Sequence, residues 1–172
     1  MFTKQDIEKY FLAEKQMSIL FIIIGSVAVV MAICFFFLLK TSFYKGAAVP
    51  LLVIGLIQLA ASVAIYNKSD KHRIRIVYAH DMNPGQLKNE ELPRMKKVIK
   101  NFAGFKWIET ALVITGLALI FYFRNNEQNA FWYGLGVTLS VMIIITFIAD
   151  YAAERRAILY SNGIQSTVNS RQ

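Results

Sequence analysis

The sequence predicts an all-α integral membrane protein in which four transmembrane helices form two tandem helical hairpins, with basic amphipathic helices on the cytoplasmic side. Three observations carry this expectation. Of the 172 residues, 56% are apolar or aromatic and 17% are charged, against roughly 45–50% and 25% in soluble domains. The apolar residues are gathered into four runs: Met17 to Leu39, Gly46 to Asn67 and Gln128 to Ala149 hold no formal charge, and Trp107 to Phe123 holds one acid. At 1.5 Å per residue, about 20 such residues cross a hydrocarbon core some 30 Å thick. The third observation is the uneven spread of the +8 net charge.

The first run follows 16 residues of mixed charge, is longer than the core of a secretory signal and lacks a small-x-small cleavage pattern, so it reads as a permanent span. Cys34, the one cysteine, lies inside it. No intramolecular disulfide or multi-cysteine metal site is then available, and Cys34 reads as a small packed apolar side chain.

Lys and Arg near short loops set orientation. Residues 1–16, the segment between the second and third runs, and the tail hold 16 of the 19 cations, including Arg171; the two remaining loops hold only Lys40, Lys45 and Arg124. Both termini and the long middle segment are therefore expected in the cytoplasm, with the spans in the plasma membrane. Phe43, Tyr44, Tyr122, Trp132 and Tyr133 would mark the outer interface, and Tyr10, Tyr66, Trp107 and Tyr151 the inner one, where a ring is half buried and its polar tip wet. The chain divides into an amphipathic N-terminal helix (1–16), a first transmembrane hairpin (17–66), a basic cytoplasmic segment (67–104), a second hairpin (105–150) and a cytoplasmic tail (151–172).

The two halves read as a tandem repeat. Lys9-x-Phe11-x-x-x-Lys15 and Gly25 recur 91 residues on as Lys100-x-Phe102-x-x-x-Lys106 and Gly116, while Ala48, Arg73, Ile76 and Tyr78 fall on Ala130, Arg155, Ile158 and Tyr160 at an offset of 82. Two such units would be related by an axis along the membrane normal, unlike the inverted repeats of many transporters. Small residues let helices approach in a bilayer, which places Ala60 with Ala64, and Gly136 with Ser140, at expected helix crossings.

In the basic segment, Lys68 to His80 reads as a helical stalk, although Arg73-Ile74-Arg75-Ile76 also alternates as a strand would. Asn83-Pro84-Gly85 signals a reversal. Leu92, Met95, Ile99 and Phe102 then recur at helical spacing, with Lys96, Lys97 and Lys100 on other sides. This stripe has two uses: seating in the acyl boundary with the lysines near anionic headgroups, or packing on the N-terminal helix, where Ile7, Tyr10 and Phe11 offer an apolar side. Lys96, Lys97, Lys100, Arg73 and Arg75 are the candidate contacts to anionic lipid or to a protein partner.

Among intramembrane polar residues, Glu109 lies just inside the third span and Asp150 closes the fourth. Ionisable groups at such depth mark functional sites by default, but near a helix end they also serve as clamps to Lys15, Lys68 or Lys106. Gln58, deep in the second span, suits a helix-to-helix hydrogen bond. Arg75-x-x-x-x-His80 resembles the active-site motif of HEPN-type ribonucleases over six residues, and a solvated stalk is the competing reading. His72 and His80 are the only histidines. With no phosphate-binding glycine loop, no Ser/His pair within the spans and no paired acids at metal-site spacing, no cofactor and no nucleic-acid partner is expected. The functional expectation is a non-enzymatic accessory, scaffold or regulatory protein acting through its basic face. A small oligomeric transporter or channel lined by Glu109, Gln58 and Asp150 is the alternative, and a membrane enzyme using Arg75 and His80 on a phosphate-containing substrate is the third.

Overall fold

The computed structural model describes residues 2–170; Arg171 of the tail lies outside them. All regular structure among the described residues is helical. The four long helices are α1 (Lys4–Leu39), α2 (Ser42–Met82), α3 (Pro84–Phe123) and α4 (Glu127–Ser170), each long and apolar enough to cross a membrane. The mean hydropathy of their most apolar windows is 3.0, 2.3, 1.5 and 2.0 respectively. The alternating Arg73–Ile76 stretch is helix, not strand: Lys71, Arg73, Arg75 and Ala79 are good helix formers, and an alternation of four residues is too short to override them.

The helix ends follow local chemistry. α1 finishes in a wide π turn, Phe35–Leu39, and Lys40 then takes a left-handed φ of 53°, the conformation that commonly terminates helices. Asn83 leaves helical geometry, with φ −146° and ψ 73°, and Pro84 starts α3, where its missing N–H costs nothing. The expected reversal therefore falls at Asn83. A second π turn, Leu87–Glu91, follows within α3. Asn126 is extended, and a short 3₁₀ turn, Glu127–Asn129, opens α4.

Two compact units are built from these helices, and each helix contributes to both. Unit 1 comprises Met1–Ile19, Val63–Phe105 and Asp150–Gln172, and unit 2 comprises Leu20–Ser62 and Lys106–Ala149.

Unit 1 has a core of large side chains drawn from all four helices. Ile7 and Phe11 of α1, Ile76 of α2, Leu87, Leu92 and Met95 of α3, and Tyr160 and Ile164 of α4 are all buried there. Ile99 and Phe102 pack against them. The apolar stripe of α3 thus meets Ile7 and Phe11, the second of the two uses open to it, and its face is taken up by protein packing.

Unit 2 has a thinner core, Ala28, Ala32, Ala48, Leu51 and Met142, and is held where backbones touch. A Cβ on Gly25 would sit 2.9 Å from the Gly55 carbonyl oxygen, and one on Gly136 would sit 2.8 Å from that of Gly116. Gly136 and Ser140 occupy a crossing, as expected. Ala60 and Ala64 do not: both face outward, because the buried side of α2 is set by Leu51, Gly55, Gln58 and Ser62. A further contact is reciprocal. Gly46 abuts the Phe131 carbonyl while Gly134 abuts the Phe43 carbonyl, with no room for a side chain at either glycine. It relates α2 to α4 at a spacing of 88 residues, and Ile76 and Ile164, 88 apart in unit 1, are both fully buried. At the spacing of 82, by contrast, Tyr78 is exposed and Tyr160 buried.

Candidate functional site

The expected lipid or partner contacts all belong to unit 1. From Leu92 to Phe105 the sequence of α3 contains no acid. Its inward positions, Leu92 and Met95, are spent on the core, so Lys96, Lys97 and Lys100 fall on the outward side and are exposed. Arg73 is half-buried beside Asp70 at 3.4 Å, and Arg75 is exposed, 3.8 Å from Glu90. The three lysines thus form a group, while the two arginines are occupied by acids on α2 and α3.

Arg75 and His80 do not converge. Five residues on a helix rotate a side chain by roughly 140°, and accordingly Arg75 points outward toward Glu90 while His80 is buried with its Nδ1 3.2 Å from Asp81. Among the described residues, no three His, Cys, Asp or Glu side chains gather as metal ligands would.

Of the polar residues expected within the membrane, Gln58 and Glu109 are buried in unit 2 and Asp150 is half-buried in unit 1. The Gln58 Nε2 donates to Thr146 Oγ1 at 2.7 Å, and that hydroxyl donates to the Met142 carbonyl at 2.9 Å. The helix-to-helix bond expected of Gln58 is therefore present, between α2 and α4. Lys15, one of the cations considered for a clamp, pairs with Asp70 and lies 4.9 Å from the Tyr66 ring centre.

The most elaborate polar constellation was not singled out by sequence reasoning. Glu91 is fully buried in unit 1. Arg94 grips it with two bonds, Nε to Oε2 at 2.8 Å and Nη2 to Oε1 at 2.7 Å, and the Tyr160 hydroxyl donates to Oε1 at 2.9 Å. Tyr10 stacks on Tyr160 with ring centres 4.1 Å apart, and the Arg94 guanidinium lies 6.0 Å from the Phe11 ring centre. The wide turn at Leu87–Glu91 explains the placement: it adds a residue to one turn, and both Leu87 and Glu91 end up fully buried.

Titration in this cluster follows burial. Burial, reinforced by the Glu91 charge, holds the Tyr160 hydroxyl well above its ordinary 10.0, and burial with Glu14 does the same for Tyr10. Burial disfavours the Arg94 charge, yet the hydrogen bonds and charge of Glu91 outweigh it, so the guanidinium holds its proton more tightly than in water. Burial also raises the Glu14 carboxyl against the opposing pull of Arg94, and burial, with Arg94 and Arg75 nearby, lowers the His72 imidazole. Every partner of Glu91 is a donor, three bonds in all, which suits a carboxylate held in place. The cluster ties α3 to α4 through the Tyr160 hydroxyl and brings the Tyr10 and Phe11 rings of α1 against them.

Comparison with protein-family models, curated proteins and solved structures finds no match to this chain. The functional reading therefore rests on the geometry alone.

Proposed function

We propose that this is a non-enzymatic, four-span protein of the plasma membrane, its helices arranged as two tandem hairpins with both termini cytoplasmic. It acts as an accessory or regulatory partner through the basic face of unit 1. Membrane insertion is supported by the helices themselves, whose most apolar windows are only 11% to 33% buried; in water such outward apolar surface would drive aggregation. The reading of two related hairpins is supported by the paired glycine crossings and the reciprocal Phe43/Gly134 and Phe131/Gly46 contacts.

One observation carries the function: the outward side of α3 presents Lys96, Lys97 and Lys100 on a helix whose other side is fixed in a core. A helix fixed in a core holds the three lysines side by side, so an anionic surface meets them with only their side chains left to order. Each such lysine contributes about 1 kcal/mol near a charged membrane, and an acidic protein face would draw on the same Coulomb attraction. Because the apolar stripe is packed inside, contact is electrostatic and not by insertion.

The test uses purified protein in neutral nanodiscs, titrated with phosphatidylglycerol vesicles, alongside recovery of partners from native membranes. Replacing Lys96, Lys97 and Lys100 together by glutamine should weaken vesicle binding about tenfold or more. If binding to vesicles and to every recovered partner is unchanged, the proposal fails.

One observation favours the second reading, a small oligomeric transporter or channel. Gln58 Oε1 and Ser140 Oγ are buried polar atoms with no hydrogen-bond partner among the described residues, and such groups in a span suit a pathway that carries polar solutes. Reconstituted protein would then show a solute or ion flux that Glu109→Gln alters.

A further inference from the structure

Two tyrosines of unit 1 stand where an uncharged run of the sequence ends, and a cation lies over the ring of each. Tyr66 is next to last in the run that closes at Asn67, and Lys15 Nζ sits 4.9 Å from its ring centre. Tyr151 follows the run that closes at Ala149, and Arg155 Cζ sits 5.2 Å from its ring centre. The two cations are balanced differently. Lys15 pairs with Asp70. Arg155 is exposed and makes no ion pair among the described residues, whereas Arg73, Arg75 and Arg94 each face an acid.

A neutral group holds Arg155 in place. Its Nε donates to the Tyr151 hydroxyl at 3.1 Å and its Nη2 at 2.7 Å. A guanidinium carries five N–H donors in one plane. The two bonds to Tyr151 take the Nε side and leave open the Nη1–Nη2 edge, whose parallel donors match two oxygens of one oxyanion. Arg155 lies one turn beyond Tyr151 and folds back along α4 to reach it, as helical side chains lean toward the N-terminus of their helix. In α4 that direction leads to the apolar run. By the same rule Lys96, Lys97 and Lys100 lean away from the run that follows them in α3.

We infer that Tyr151 and Arg155 form a site for the phosphate of an anionic glycerophospholipid in the cytoplasmic leaflet. The inference rests on the membrane-spanning part of the proposed function and not on its lysine row. In a spanning helix Tyr151 lies at headgroup level, where a ring is half buried and its hydroxyl wet, and the guanidinium beside it lies at the depth of the lipid phosphates. The open edge takes two phosphate oxygens, and the bonds to Tyr151 fix the fork beforehand, which lowers the ordering cost of binding. Phosphatidylcholine brings a cation of its own to its phosphate, whereas phosphatidylglycerol does not, so the site favours phosphatidylglycerol.

The experiment is native mass spectrometry of the full chain released from nanodiscs of mixed phosphatidylcholine and phosphatidylglycerol, read as the affinity for the first phosphatidylglycerol retained. Both side chains are exposed, so their variants keep the fold. Arg155→Gln should weaken retention about tenfold. Arg155→Lys keeps the charge but not the fork and should fail to restore it. Tyr151→Phe keeps the ring but frees the guanidinium and should weaken retention roughly threefold. Replacing Lys96, Lys97 and Lys100 by glutamine should leave the first lipid in place. Wild-type retention by Arg155→Gln or Arg155→Lys would overturn the proposal, as would loss of that lipid only in the lysine variant. A site that inorganic phosphate fills as tightly as phosphatidylglycerol is not a lipid site, and that result would overturn it too. Carbonate extraction separates the two readings: protein released from membranes removes the spanning reading, whereas protein retained in membranes that holds phosphatidylglycerol no more tightly than phosphatidylcholine removes only the lipid site.

Discussion

Units 1 and 2 are built from the same four helices yet are held together by different means. Unit 1 packs Phe11, Met95, Tyr160 and large aliphatic side chains around a buried ion pair. Unit 2 packs alanines and brings glycines onto neighbouring backbones, with a hydrogen bond from Gln58 to Thr146 joining two of its helices. The difference matches the surroundings proposed for each. Water drives large apolar side chains together, whereas lipid is as apolar as leucine and leaves close backbone approach and polar contacts to hold helices. A sequence can thus change its means of cohesion part-way along a helix.

The comparison breaks most easily at Glu91. Arg94→Met should leave a carboxylate buried without its counter-charge and destabilise unit 1 by about 3–5 kcal/mol, read as faster hydrogen exchange in residues 63–105 than in 20–62. Glu91→Leu with Arg94→Met should cost much less than either alone, since removing both charges removes the desolvation burden. A double variant as damaging as the singles would show that the pair does more than satisfy itself.

Tyr160→Phe comes next. It removes one donor to a buried charge, a loss of about 1.5–3 kcal/mol, and it changes the response to alkali. Because Tyr10 and Tyr160 are held protonated in the fold above their ordinary 10.0, the unfolded chain ionises first as pH rises, and stability falls from about pH 10 upward. In Tyr160→Phe that fall should be shallower in denaturant titrations between pH 9 and about 11. An unchanged slope would contradict the burial of the hydroxyl.

In unit 2 the expected damage is steric. Gly46→Ala drives a methyl group into the Phe131 carbonyl, and overpacking of this kind costs about 1–3 kcal/mol; the folded fraction in detergent should drop with no change in pH dependence. Gln58→Leu sharpens the comparison from below. Its bond to Thr146 should be worth only about 0.6 kcal/mol, the average for polar contacts between helices in a membrane. A loss as large as that for Arg94→Met would erase the distinction between the units.

Much of the helical content was legible because it depends on periodicity and run length. Four uncharged or nearly uncharged stretches give four long apolar helices, and Asn83-Pro84-Gly85 gives the break between α2 and α3. The Gln58 bond was legible since an amide in an apolar run has few other uses. Glu91 was not. It stands beside Glu90, and nothing local distinguishes the exposed acid from the fully buried one, because the distinction comes from a π turn that regular helical counting does not contain. Ala60 and Ala64 show the converse: their spacing suits a crossing, but Gly55 and Gln58 on another side of α2 permit a closer one.

The π turn at Leu87–Glu91 has a consequence for how this chain can vary. An α-helix that accepts one extra residue without unfolding takes this wide form, so the turn has the shape of an insertion retained in the helix. Deleting one residue there, such as the exposed Asn89, would let the segment relax to ordinary helix and rotate everything before it by about 100°. Leu87 would swing out of the core while Glu91 kept its place. At this point in the chain, length is under tighter constraint than residue identity: many side chains would serve at position 89, but a residue must be there.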